Sequence, residues 1–306
     1  MTLTWVGLLI LFFMFFSCCL QTSCFLGLNN SVLKTPAVYA FGDSAIDAGN
    51  NKFIPNATAR FNFMPYGIDF LGGIPTGRTT NGKTVVDFIA ESVGLPFTPP
   101  MLSLSKAQHK STRTGVNFGS SSSGIQPMPP KTKKIFVRTN DLGIYWELDQ
   151  KRSYHDVEKY SRYKTYGLGA RKFVVNNISP LGCRPAYIHR VSHNTSCVED
   201  VNRRVATFND LLPNMLMELE TSLKGSTFIL CDLYKLFEEV HAQPETYGFT
   251  NVVDSCCIDV NGNQTRECAP GRIPCSDRET HAFFDPFHPS QSMHKLWFQR
   301  CVKDII

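Results

Sequence analysis

Residues 37–44, Ala37-Val-Tyr-Ala-Phe41-Gly-Asp-Ser44, decide how the rest of the chain is read. The five-residue apolar run reads as a short buried strand, and Gly-Asp-Ser turns the chain at its C-terminal end. Open α/β sheets place their chemistry at that end of their strands. Outward from this point strands and helices alternate. Asn81-Gly-Lys-Thr84 leads into a segment whose apolar spacing fits a helix, with Gly94 as its C-terminal cap and Pro96 as a breaker. Ile135-Phe-Val137 reads as a second strand ending at Thr139-Asn140-Asp141, and Lys172-Phe-Val-Val175 as a third ending at Asn176–Pro180. A helix is expected from Glu199 to Leu223, kinked or split at Pro213, which lacks a donor N–H. Thr227-Phe-Ile-Leu230 is then a fourth strand, ending at Asp232. Strands separated by helices of this length imply parallel crossovers and one doubly wound domain with helices on both faces. The stretch from Asp254 to Asp277, rich in Cys, Gly and Asn, reads as a disulfide-pinned loop.

Composition narrows the function classes. A chain of 306 residues, 42% hydrophobic and 19% charged, with 21 Gly and 18 Pro, buries a full core and is neither collagen-like nor disordered. Its net charge of +5 lacks the long basic face of a nucleic-acid binder, and Lys131-Thr-Lys-Lys134 reads as a solvated turn. From Trp5 to Phe16 the chain is uncharged and apolar, then small and Cys-rich, and no Lys or Arg precedes Lys34. This apolar core of about a dozen residues is shorter than the roughly 20 a membrane span needs. It is expected to be a secretory signal peptide over residues 1–24, followed by a spacer at 25–34 and a single domain at 35–306, despite the missing basic start.

Cysteine usage agrees with export. Three of the 11 Cys lie in the leader, leaving Cys183, Cys197, Cys231, Cys256, Cys257, Cys268, Cys275 and Cys301. In an oxidising compartment this even set reads as disulfides whose pairing stays open. Zinc at Cys256, Cys257, Cys268 and Cys275 is disfavoured because adjacent cysteines make poor tetrahedral ligands. Sequons at Asn29, Asn56, Asn194 and Asn263 suit a secreted glycoprotein, whereas Asn177 follows an apolar strand and is expected to be shielded.

Ser44 is the first candidate for chemistry, because a tight turn after a strand exposes its Oγ at the mouth of a sheet. A serine nucleophile needs a base. In Asp285-Pro-Phe-His-Pro289 a carboxylate three residues upstream reaches back to the imidazole Nδ1, leaving Nε2 of His288 to accept the serine proton. Asp43, Asp47 and Asn50 are expected to organise the serine turn through side-chain to backbone hydrogen bonds. His189, His281 and His294 read as surface or loop residues, and Tyr145 and Trp146 as core residues rather than pocket walls.

Together these pieces match a family. Phe41-Gly-Asp-Ser-Ala-Ile-Asp-Ala-Gly-Asn-Asn51, Pro65-Tyr-Gly-Ile-Asp69, Gly72–Arg78, Asn81-Gly-Lys83, Gly115-Val-Asn-Phe118, Asn140-Asp141-Leu142, Pro180-Leu-Gly-Cys183, Cys256-Cys257 and Asp285–Pro289 occur in an order that resembles plant GDSL esterase/lipases of the SGNH hydrolase superfamily. The resemblance runs from about Pro36 to the end. It implies a three-layer α/β/α sandwich around a mainly parallel sheet, secretion to the apoplast or cell wall, and cofactor-free, metal-free hydrolysis of small or lipid acyl esters through an acyl-enzyme. Ser44 would be nucleophile, His288 base and Asp285 its orienting carboxylate.

The same resemblance implies an oxyanion hole built from the Ser44 backbone N–H, a Gly-Gly segment and an asparagine side chain, each donor worth roughly 3 kcal/mol of barrier. Asn140 matches the asparagine. The Gly-Gly segment falls on Ser121-Ser122, so the second donor would be the Ser121 N–H, and Arg138 replaces a further family glycine. Only residues 126–134 (Gln-Pro-Met-Pro-Pro-Lys-Thr-Lys-Lys) join the glycine block to the Asn-Asp block, too few for a βαβ crossover. One crossover is therefore expected to be missing. These departures leave an alternative open: a catalytically impaired secreted glycoprotein of the same fold that binds an acyl or glycan ligand.

Overall fold

The computed structural model describes residues 37–123, 165–191 and 197–302, except 260, 263 and 265. The expected second strand at 135–137, the short connection at 126–134, Tyr145, Trp146 and the leader lie outside them. Within them the architecture is mixed α/β, and every strand pair is parallel.

The deciding segment forms less strand than its apolar run suggests. Val38 and Ala40 donate backbone N–H groups to Thr114 and Val116, and Phe118 N–H returns to the Ala40 carbonyl, a parallel alignment that counts as a single bridge at Ala40. On the far side of Asn117 run Pro99 and Pro100, which have no N–H to extend a ladder. Gly115 permits the close approach. A Cβ there would fall 1.8 Å from the Val38 carbonyl oxygen, and its φ is +107°.

Helix α1 (Val85–Ser92) begins where Asp87 accepts from both the backbone N–H and the hydroxyl of Thr84. It ends at Gly94, in the left-handed region at φ +70°, with Leu95 N–H returning to the Ala90 carbonyl as a Schellman cap requires. A short helix α2 (Lys106–Ser111) follows.

Strands β1 (Lys172–Asn176) and β2 (Thr227–Cys231) pair in parallel from Lys172 opposite Thr227 to Asn176 opposite Cys231. Between them lie α3 (Pro185–Val191) and α4 (Glu199–Ser222), the crossover that the alternation predicts. Helix α4 is not split at Pro213. The proline sits on its exposed face, clear of the apolar stripe that packs on the sheet. The opposite stripe, Leu212, Leu216, Leu219 and Leu223, packs on Val175, Phe228 and Leu230 of the sheet.

Two further strands were not legible in the sequence. β3 (Asn251–Ser255) pairs in parallel with the three-residue β4 (His281–Phe283) across a register shift. They are flanked by α5 (Leu233–Ala242) and α6 (Gln291–Val302), and the largest core cluster joins Leu236, Phe237 and Val240 of α5 to Phe283 of β4 and Met293 and Trp297 of α6. Four disulfides fix this half: Cys183–Cys197, Cys231–Cys301, Cys256–Cys275 and Cys257–Cys268. The last two pin the loop that follows β3. Because all four of its sulfurs are bonded to one another, none is a thiolate free to hold zinc. Among the described residues no helix is long and apolar enough to cross a membrane.

Candidate active site

The serine turn is held by buried polar groups. Ser44 opens a 3-10 turn in which the Asp43 carboxylate accepts the Ala45 N–H at 3.0 Å, and the Thr79 hydroxyl donates to the Ser44 carbonyl at 2.8 Å. Asp47 is wholly buried, and its carboxylate accepts from the N–H groups of Gly49 and Asn50 at 2.7 Å. Burial pushes this carboxyl above the ordinary aspartate value, and the donors around it pull the other way. Asn50 donates to the carbonyls of Asn117 and Gly119, and Asn117 donates to the Ile46 carbonyl. The turn chemistry expected of Asp43 and Asp47 is therefore present, each accepting N–H groups that the tight turn leaves unpaired, while Asn50 ties the turn to the crossing segment at Asn117–Gly119.

The imidazole that meets Ser44 comes from the other end of the chain. Asp285 Oδ1 accepts the backbone N–H groups of Phe287 and His288, which curls Asp285–His288 into one turn. That curl brings His288 Nδ1 to 2.7 Å from Asp285 Oδ2 and 2.9 Å from Oδ1. Its Nε2 lies 2.9 Å from Ser44 Oγ. Ser44, His288 and Asp285, expected to act together, thus form one hydrogen-bonded chain across 244 positions of sequence. His288 is nearly buried and Asp285 fully so, which keeps water from competing for the hydrogen bond between them.

The expected second oxyanion donor is not where the sequence put it. The Ser121 N–H points at Asp47 Oδ2 at 2.8 Å, and the Ser121 hydroxyl reaches the same oxygen at 2.9 Å. A buried carboxylate takes every donor within reach, and Ser121 is spent on it. The neighbouring Ser122 has the left-handed backbone, φ +61°, that a family glycine would adopt without strain, and its N–H has no partner among the described residues. Ser120 N–H and the Ser123 hydroxyl both donate to the Gly42 carbonyl, so this serine turn lies against the strand end that carries Ser44. Asn140 and Arg138 lie outside the described residues.

Other sequence expectations fare unevenly. His281 and His294 are buried rather than superficial, His294 completely, stacked on Trp297 within α6. His189 is partly exposed as expected, with Nε2 2.8 Å from Asp254. The Asn177 amide nitrogen donates to Asp232 at 2.7 Å and is largely buried, which shields that sequon, while Asn56 is exposed on a left-handed turn. Asn29, Asn194 and Asn263 are outside the described residues. One residue of the site was missed: Tyr66, whose hydroxyl donates to Asp285 Oδ2 at 2.6 Å. The Pro65-Tyr-Gly67 block marks a special position, but nothing local in it says which distant group the phenol meets.

Residues 38–301 match the model of the GDSL-like lipase/acylhydrolase family, and the chain belongs to that family. GDSL esterase/lipase 7 of Arabidopsis thaliana is 33% identical over 316 residues, covering 85% of this chain and 86% of the relative. GDSL esterase/lipase At1g71691 of the same plant is 33% identical over 321 residues, covering 88% of this chain and 82% of the relative. Both alignments are longer than the 306-residue chain, so each relative carries residues with no counterpart here.

Proposed function

We propose that the protein is a secreted serine ester hydrolase, with Ser44 as nucleophile, His288 as general base and Asp285 as the carboxylate that orients the imidazole. The observation that carries the reading is the unbroken run of hydrogen bonds from Ser44 Oγ through His288 to Asp285. His288 Nε2 takes the Ser44 proton as Oγ attacks the ester carbonyl, and Asp285 stabilises the imidazolium that forms. The imidazolium then protonates the departing alcohol, leaving an acyl-Ser44 ester. Water, deprotonated by the same Nε2, attacks that ester and releases the acid. The backbone N–H groups of Ser44 and Ser122, with the side chain of Asn140, are the donors assigned to the carbonyl oxygen as it gains charge. Lipid acyl esters, surface acyl chains and acetylated glycans are the substrate classes in view.

A second reading has its own support. The left-handed Ser122 and the diverted Ser121 N–H are departures from the family's glycines at a place where about 3 kcal/mol rides on each donor, which favours a binder of acyl or glycan ligands with little turnover. Hydrolysis of short-chain and long-chain chromogenic esters by the secreted protein, beside Ser44→Ala, separates the two. Activity lost in Ser44→Ala supports the hydrolase. Activity that survives removes Ser44 as nucleophile, and none in either form favours the binder.

A further inference from the structure

We infer that Tyr66 is a positioning residue of the reaction, a fourth member of the hydrogen-bonded chain that holds the Asp285 carboxylate and limits its pull on His288. This rests on the hydrolase reading above. The Tyr66 hydroxyl donates to Asp285 Oδ2 at 2.6 Å, the same oxygen that lies 2.7 Å from His288 Nδ1. The other oxygen, Oδ1, is occupied by the backbone N–H groups of Phe287 and His288. With Tyr66 in place Oδ2 is shared between two donors, the phenol and the imidazole. Without it, Oδ2 would keep the imidazole as its single partner.

The phenol is itself fixed from three directions. Tyr66 is fully buried, and its oxygen accepts the Cys268 backbone N–H at 3.2 Å. Cys268 is bonded to Cys257, so the disulfide-pinned loop is wired through Tyr66 to the carboxylate. The rings of Phe61, Phe63 and Phe284 meet it edge-on at 4.9, 5.3 and 5.4 Å. Phe61 also stands edge-on to the His288 ring at 5.4 Å, and it does so from a left-handed backbone, φ +52°, which a bulky residue keeps only where surrounding structure imposes it. This aromatic box keeps water from the carboxylate's side of the imidazole. Burial and the Asp285 charge hold the Tyr66 hydroxyl well above the ordinary tyrosine value, so it stays a donor throughout the working range.

Other charged or titratable groups act on the same cluster. Glu267 acts on Tyr66, Arg184 acts on Asp285 and Asp43, and the buried His294 acts on His288. None of them is changed by replacing the phenol with a phenyl ring. A proton donated to Oδ2 withdraws charge from the oxygen facing Nδ1. Its removal strengthens the carboxylate's hold on the imidazolium, and the base becomes free only at higher pH.

The test compares wild type, Tyr66→Phe and Ser44→Ala. With a soluble chromogenic ester, Tyr66→Phe is expected to lower kcat about tenfold, leave KM within about twofold, and move the acid limb of the kcat/KM profile to higher pH. A packing defect alone would lower the amount of folded enzyme without moving that limb. Equal kcat with an unmoved limb overturns the inference. If wild type fails to turn over, or Ser44→Ala still does, the hydrolase reading fails, and the low-field proton resonance of His288 Nδ1 in resting protein decides the remainder. That resonance is expected to shift in Tyr66→Phe and stay in place in Ser44→Ala; no shift in Tyr66→Phe refutes the coupling.

Discussion

The two halves of the site are held by different means. Around Ser44 there is no disulfide among the described residues; a buried carboxylate and three asparagines, Asn50, Asn51 and Asn117, saturate the backbone of crossing loops. Around His288 the frame is covalent and aromatic, with two disulfides in the loop after β3 and the rings of Phe61 and Phe284 packed about Tyr66. A buried polar network places backbone groups closely but fails when one partner is lost, because every orphaned donor then carries its full desolvation cost. A cross-linked loop loses stability more gradually, because the bond acts largely on the unfolded chain. The Ser44 side should therefore be brittle and the His288 side tolerant.

Breaking the network is the strongest challenge to that contrast. Asp47→Leu leaves the N–H groups of Gly49, Asn50 and Ser121 without their acceptor and is expected to cost about 3–5 kcal/mol, read as a large drop in urea midpoint. Removing the Cys257–Cys268 bond as a double Ser variant should cost less, about 3 kcal/mol on a closed loop of this size, and should lower activity further because Cys268 anchors Tyr66. If the double variant proves the more damaging to stability, the contrast is reversed.

Acid sharpens the comparison on the base's side. Burial holds the imidazole of His294 down to about 3 and that of His241 to about 4, against an ordinary 6.5. Both are neutral when folded, while the unfolded chain takes up protons below about 6.5, so stability should fall as pH drops from that value toward 4. The melting temperature of His241→Leu should depend less steeply on pH than wild type over this window; an unchanged slope would remove His241 from the account. The smallest effect is at the serine turn. Ser122→Gly relieves a left-handed backbone and should stabilise by up to about 1 kcal/mol, with a higher esterase rate if that turn limits oxyanion binding. A lower rate would mean that the Ser122 side chain serves the site.

What was legible in the sequence follows the range of the forces involved. The Gly94 cap and the Asp285–His288 turn are local patterns of a few residues and could be read directly, and the β1–α4–β2 crossover follows from the alternation of apolar runs with a long helical segment. The meeting of Ser44 with His288 came from the order of family motifs, since no local signal reaches across the chain. β3 and β4 escaped because they are short, with β3 polar at both ends and β4 only three residues long, and are stabilised by burial against α5 and α6 rather than by alternation. The Ser121 reading failed for a specific reason: counting along the Gly-Gly block ignored the competing buried acceptor at Asp47. Tyr66 stands inside its motif with no local sign of a role, because a phenol shows its partner only once the fold has closed.

The most direct measurement of the central claim is covalent. Purified protein is exposed to an organophosphonate ester, and the modified peptide is located by mass spectrometry in wild type, His288→Gln and Ser44→Ala. The account expects a single adduct on Ser44 that forms at least about a hundredfold more slowly in His288→Gln and is absent from Ser44→Ala. An adduct at another serine, or labelling of Ser44 at an undiminished rate without the imidazole, would contradict it.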